Sequence, residues 1–231
     1  MHLSVAYERL VVAALGALGA GSDVENLRRS RLAPVLAPRN EERGAAQEIL
    51  RRAGIRLQPP PLVVAPGARY GPAKRYPPER FARAARLLAD ERGCDVVLVG
   101  TAEDARATSE VKADLPGAHD LAGRTSLGEL IGVLAHSAGL LSNDSGTMHL
   151  AAALGKPVVG IFGSTNPTWT GPVGSHAAFV AQPVFCSPCY DTHCKEHFEC
   201  MLELSPERVA EAFRAVLGRR ETRLPLAGPR L

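Results

Sequence analysis

From residue 62 onward the chain alternates short apolar runs with amphipathic stretches, and few folds accept that pattern. The apolar runs at 62–65, 95–99, 119–121, 138–141 and 157–162 predict strands. Between them, 78–91, 103–115, 127–136 and 148–154 carry apolar residues at helical spacing, with Gly93 and Gly155 as stops. Strands separated by helices of this size build a parallel sheet with helices on both faces, a Rossmann-like α/β fold. Each predicted strand ends in a polar or glycine-rich turn: Pro66-Gly67, Gly100-Thr101, Gly123-Arg124, Asn143-Asp144 and Gly163-Ser164. Ligands of such sheets bind beyond the carboxyl ends of the strands, so these turns outline one crevice.

The first 58 residues lack this alternation. They are expected to hold helices at 5–18 and 40–53, with Gln58-Pro59-Pro60-Pro61 as a stiff boundary before a nucleotide-binding domain over 59–220. A strong amphipathic helix closes that domain at 206–217, and 221–231 reads as a tail. The 231 residues suffice for one large domain or one and part of another. A net charge of +3, from 27 basic and 24 acidic residues, is too balanced for a general nucleic-acid surface. No apolar run reaches the ~18 residues of a membrane span. The apolar stretch 11–20 lacks the basic start of a signal peptide. A cytoplasmic protein is expected, with peripheral contact to a membrane face as its one membrane option.

Two turns carry the chemistry. Asn143, Asp144, Ser145, Gly146 and Thr147 lie between the fourth strand and the next helix. A helix start offers unpaired N–H groups and partial positive charge, which together hold phosphate. Gly146 keeps side chains away from an arriving anion, Ser145 and Thr147 add hydroxyls, and His149 projects from the first turn. The same residue types also make an ordinary helix cap. The second turn, 65–77, follows the first strand. Gly67 and Gly71 permit a tight course, and Lys74 offers an ammonium to a diphosphate, with Arg69 and Arg75 as forked donors. Glu103, after the second strand, stands where a ribose-binding acid would lie, and equally where a helix start favours an acid.

Three ordered motifs then make the chain recognisable: Pro66-Gly67-Ala68-x-x-Gly71-Pro72-Ala73-Lys74-Arg75-Tyr76-Pro77, Asn143-Asp144-Ser145-Gly146-x-Met148-His149, and Phe162-Gly163-Ser164-Thr165-x-Pro167. Together they resemble the C-terminal half of glycosyltransferase family 9, the heptosyltransferases, and within it the heptosyltransferase II branch. The resemblance covers roughly 62–217. It implies the donor domain of a GT-B fold and transfer of L-glycero-D-manno-heptose from ADP-heptose to the inner core of lipopolysaccharide, with inversion. It implies donor-binding roles for Gly67, Lys74, Glu103, Asp144, Ser145, Gly146, Thr147 and His149, and no cofactor for catalysis. In this family the catalytic base and acceptor site belong to a complete N-terminal domain. Only 65 residues precede Pro66, so no catalytic base is expected in this chain, and 1–58 reads as a remnant of that domain. The resemblance thus implies a transferase impaired by truncation; the alternative is a non-catalytic nucleotide-sugar-binding module.

Cys186-x2-Cys189-x4-Cys194-x5-Cys200 has ligand-like spacing. A structural zinc site is expected, with disulfides, free thiols or an iron–sulfur cluster as the other outcomes. The segment is expected to hold a loop near the crevice. Cys94 reads as a buried small hydrophobe.

Overall fold

A computed structural model describes residues 35–218. Six parallel strands form one sheet: β1 (Leu62–Ala65), β2 (Val96–Leu98), β3 (His119–Asp120), β4 (Gly139–Asn143), β5 (Val158–Phe162) and β6 (Ala177–Ala181). Their order across the sheet is β3-β2-β1-β4-β5-β6. The order reverses between β1 and β4, where a parallel sheet opens a crevice at its carboxyl edge. The helices are α1 (Asn40–Arg52), α2 (Pro78–Arg92), α3 (Ala105–Asp114), α4 (Leu127–His136), α5 (Gly146–Ala153), α6 (Pro167–Thr170), α7 (Glu199–Leu202) and α8 (Pro206–Leu217).

The central strands are buried on both faces, as their unbroken Val, Leu and Ile runs require. One face packs Phe81 and Leu88 of α2 and Val209 and Phe213 of α8 against Leu62, Val64, Leu98 and Ile161. The other packs Ala46 and Leu50 of α1, Val133 and Leu134 of α4 and Met148 of α5 against Val63, Val97, Leu140 and Phe162. Gly160 is required there: a Cβ on it would lie 2.4 Å from Met148 Sδ, so its absence lets α5 settle on β5. That contact fixes where the N-terminus of α5 points.

The α1 helix is not set apart from the sheet. It packs on α4 within the same core, so the boundary expected near residue 58 runs through one packed layer. The predicted helix at 5–18, most of the expected N-terminal remnant and the 221–231 tail lie outside the described residues. Strand β6 and the short helices α6 and α7 were not expected. Ala177–Ala181 is only partly buried at the sheet edge, which hides it from an apolar-run reading. Among the described residues no helix is long and apolar enough to cross a membrane.

Candidate functional site

The register explains how the two turns meet. Ala65 pairs with Ser142, so Pro66 leaves β1 beside Asn143 at the end of β4. Asn143 is fully buried. Its Nδ2 donates to Pro66 O at 2.7 Å, and its Oδ1 accepts from Tyr76 N at 3.0 Å. One side chain thus holds both ends of the loop that carries Lys74. The Tyr76 end has a second anchor: its ring is buried against Phe81, and its hydroxyl donates to Leu204 O at 2.7 Å. Burial pushes the Tyr76 phenol up to about 12.

Between these anchors, Lys74 Nζ reaches Asp144 Oδ2 at 2.5 Å. Both side chains are largely shielded, at 13% and 7% exposure. Thr165 Oγ1, after β5, donates to the same carboxylate oxygen at 2.8 Å, and Tyr70 lies under the ammonium with its ring centre 4.7 Å away. A shielded ion pair is a weak source of stability, because desolvation offsets its attraction. Its place at the switch point indicates chemistry instead.

The helix start beside it is not an ordinary side-chain cap. Ser145 occupies the cap position of α5, yet its hydroxyl makes no cap hydrogen bond; it lies 3.0 Å from Ser142 Oγ. A cavity of about 290 Å3 opens in front of this turn, lined by Gly67, Ala68, Arg69, Gly100, Thr101, Asp104, Ser145, Gly146 and Thr147 among others. A second of about 280 Å3 continues it past Arg69, Thr101, Glu103 and Asp104. Together they form a trough of a size suited to a small ligand. A cavity of about 570 Å3 lies beside the Pro72–Lys74 turn, lined by Arg75, Tyr76, Arg106 and Cys194 among others, without the α5 turn in its wall; the Lys74–Asp144 pair lines none of the three cavities.

The structure therefore brings Gly67, Ser145, Gly146 and Thr147 to one cavity, sets the Lys74–Asp144 pair at the same turns, and places Glu103 in the adjoining cavity. His149 is exposed further along α5 and lines neither cavity. Three contributors have roles that sequence reasoning did not assign. Asn143 stood in a quoted motif, but its staple needs the β1–β4 register to be seen. Thr165 likewise gains its role only by tertiary contact. Asp104 is wedged between two glycines: a Cβ on Gly67 would lie 2.1 Å from its Oδ1, and one on Gly100 2.7 Å from its Cβ. Its Oδ2 accepts from Thr101 N and Oγ1 at 2.9 and 2.8 Å. Glycines after two neighbouring strands were a signal that something packs between them.

The cysteines form no disulfide in the structure. All five are free, and among the described residues no three His, Cys, Asp or Glu side chains are grouped to hold a metal. Cys200 is buried on α7 against Gly163, while Cys189 and Cys194 are exposed. Burial, and next to it the neighbouring Cys194, Cys186 and Cys189, push the Cys200 thiol up to about 11. The segment touches the site through other groups. Thr192 O accepts from Ala73 N at 3.0 Å, Ser164 O from Tyr190 N at 2.7 Å, and Gly163 O from Ser187 Oγ at 2.6 Å.

With this crevice in view, comparison with known proteins gives one answer. The model of glycosyltransferase family 9 (heptosyltransferase) matches residues 2–198. The chain belongs to this family. It is 35% identical over 165 residues to lipopolysaccharide heptosyltransferase 2 of Escherichia coli, covering 68% of this chain and 47% of that protein. It superposes on the structure of E. coli ADP-heptose lps heptosyltransferase II with a TM-score of 0.69 and 29% identity, over 84% of this chain and 56% of that one. The family 9 glycosyl transferase of Veillonella parvula gives a TM-score of 0.68 at 25% identity, over 81% and 54%. The chain thus spans about half the length of the curated relatives it matches. The family match reaches well upstream of the motifs on which the sequence resemblance rested.

Proposed function

We propose that this chain supplies the donor side of a heptosyl transfer from ADP-heptose to the core of lipopolysaccharide, at the cytoplasmic face of the inner membrane. The observation that carries the reading is the shielded Lys74–Asp144 pair, set at the β1/β4 switch point beside an α5 start without a side-chain cap. The diphosphate lies along the trough, its oxygens facing the amides of the α5 first turn and the Ser145 and Thr147 hydroxyls. Glu103 and Thr101 face the nucleoside end.

When the anomeric carbon–oxygen bond breaks, the electron pair goes to the departing ADP. Negative charge then builds on the diphosphate, where Lys74 and the α5 dipole stabilise it more strongly than in the bound donor. Asp144 keeps the ammonium in place until a phosphate competes for it, and Thr165 keeps the carboxylate in place. The acceptor hydroxyl must lose a proton as its oxygen bonds to the sugar. No group in this crevice is assigned that task, so the reading gives this chain donor binding and leaving-group stabilisation.

Isothermal calorimetry with ADP tests it. We expect saturable one-to-one binding, weakened at least about ten-fold in Lys74→Ala, since a charge-assisted contact to phosphate is lost. Absence of ADP binding, or an unchanged affinity in Lys74→Ala, would refute the assignment.

A further inference from the structure

Five aromatic residues stand among the exposed large side chains of the described residues, and three of them are tied to the ion pair. Tyr70, Trp169 and Tyr190 are 48%, 45% and 40% exposed. Trp169 is the chain's only tryptophan. Large aromatic rings left in water on an otherwise well-buried fold mark a binding surface more often than a packing error.

Their contacts close a ring around the site. Lys74 joins Asp144 and lies over the Tyr70 ring. The Tyr70 hydroxyl donates to Tyr190 O at 2.6 Å. Tyr190 stacks on Trp169 with ring centres 6.0 Å apart and planes tilted by 34°. Tyr190 N donates to Ser164 O at 2.7 Å, and the next residue, Thr165, returns to Asp144. Tyr190 adopts a left-handed backbone, φ 58°, which a bulky residue takes only when its surroundings impose it. The Trp169 ring is carried on α6, whose start is fixed by Asn166 accepting from Thr168 N at 2.9 Å.

We infer that Tyr70, Trp169 and Tyr190 form the wall on which the sugar ring of the nucleotide-sugar donor stacks, once its diphosphate is seated at Lys74 and α5. A pyranose presents an apolar face of C–H groups and an edge of hydroxyls. Aromatic faces complement the first, and the Asp144 carboxylate and Thr165 hydroxyl lie within the same ring of contacts to meet the second. This rests on the donor reading above and adds which groups select a sugar-bearing diphosphate over a bare one.

The single tryptophan makes the test direct. ADP and ADP-heptose are each titrated into the full chain, with affinity read by calorimetry and Trp169 emission read in parallel. We expect both ligands to bind, with the emission changing for ADP-heptose and little for ADP. Trp169→Ala should lower affinity for ADP-heptose about five-fold and leave ADP affinity unchanged, and Trp169→Phe should restore most of the loss. Equal emission changes with the two ligands, or an equal loss of affinity for both in Trp169→Ala, would overturn the wall while leaving the diphosphate site standing. If neither ligand binds, the donor reading fails and the wall fails with it.

Discussion

The β1/β4 crevice and the cysteine-bearing segment at 186–200 differ in how their sequence signals became structure. In the crevice, residues 77 positions apart are joined by one buried side chain, because the strands that carry them are neighbours in the sheet. In the segment, four cysteines within 15 residues stay free. Closeness along the chain therefore formed no disulfide there, while the fold assembled the distant residues. The segment still serves the crevice, through Thr192 O, Tyr190 N and O and the Ser187 hydroxyl. Its thiols are bystanders to that contact.

The strongest way to break this comparison is Asn143→Ala. It strands the Pro66 carbonyl and the Tyr76 amide at a buried position. A loss of about 3 kcal/mol in unfolding free energy is expected, since each buried unpaired group costs roughly 1–3 kcal/mol. A loss below about 1 kcal/mol in urea titration would show that the loop holds itself.

Next in size is the alkaline limb of stability, which tests the Tyr76 anchor of the crevice loop. Tyr76 titrates near 12 when folded, above its ordinary 10. The folded state therefore keeps its proton when the unfolded chain has lost it. The Tyr76 contribution is complete below pH 10 and is lost as pH rises toward 12, with a slope of at most about 1.4 kcal/mol per pH unit. Tyr76→Phe should flatten this limb when unfolding is followed between those pH values.

The smallest effects belong to the thiols. Cys200→Ser places a hydroxyl in a packed apolar site and should cost about 1–2 kcal/mol. Cys189→Ser and Cys194→Ser, both exposed, should stay within about 0.5 kcal/mol, and chelator should leave the melting temperature unchanged. A large, metal-dependent loss in the exposed variants would reverse the comparison.

Much of the fold was legible. The strand at 62–65 and the helices at 127–136 and 206–217 were read to the residue. Apolar runs and capping residues such as Ser126, whose hydroxyl accepts from Glu129 N, leave little choice locally. The edge strand β6 was not legible, because one buried residue in five gives no pattern. Within the candidate site, the residues at strand ends were readable because a parallel sheet sends its loops to one edge. The buttresses were not: Asp104 and Tyr190 are unremarkable in sequence, Thr165 stood in a motif without a role, and each takes its place only through a contact made across the fold.

By itself, then, the amino-acid order determined the alternation of strand and helix, the parallel sheet and the two turns able to face a phosphate. These follow from periodicity and from backbone chemistry that acts over a few residues. Only the tertiary structure decided that Lys74 would meet Asp144 and that Asn143 would hold the loop. The meetings of Lys74 with Asp144 and of Asn143 with its loop depend on which strands become neighbours and in what register, and that is settled by burying a whole sheet at once.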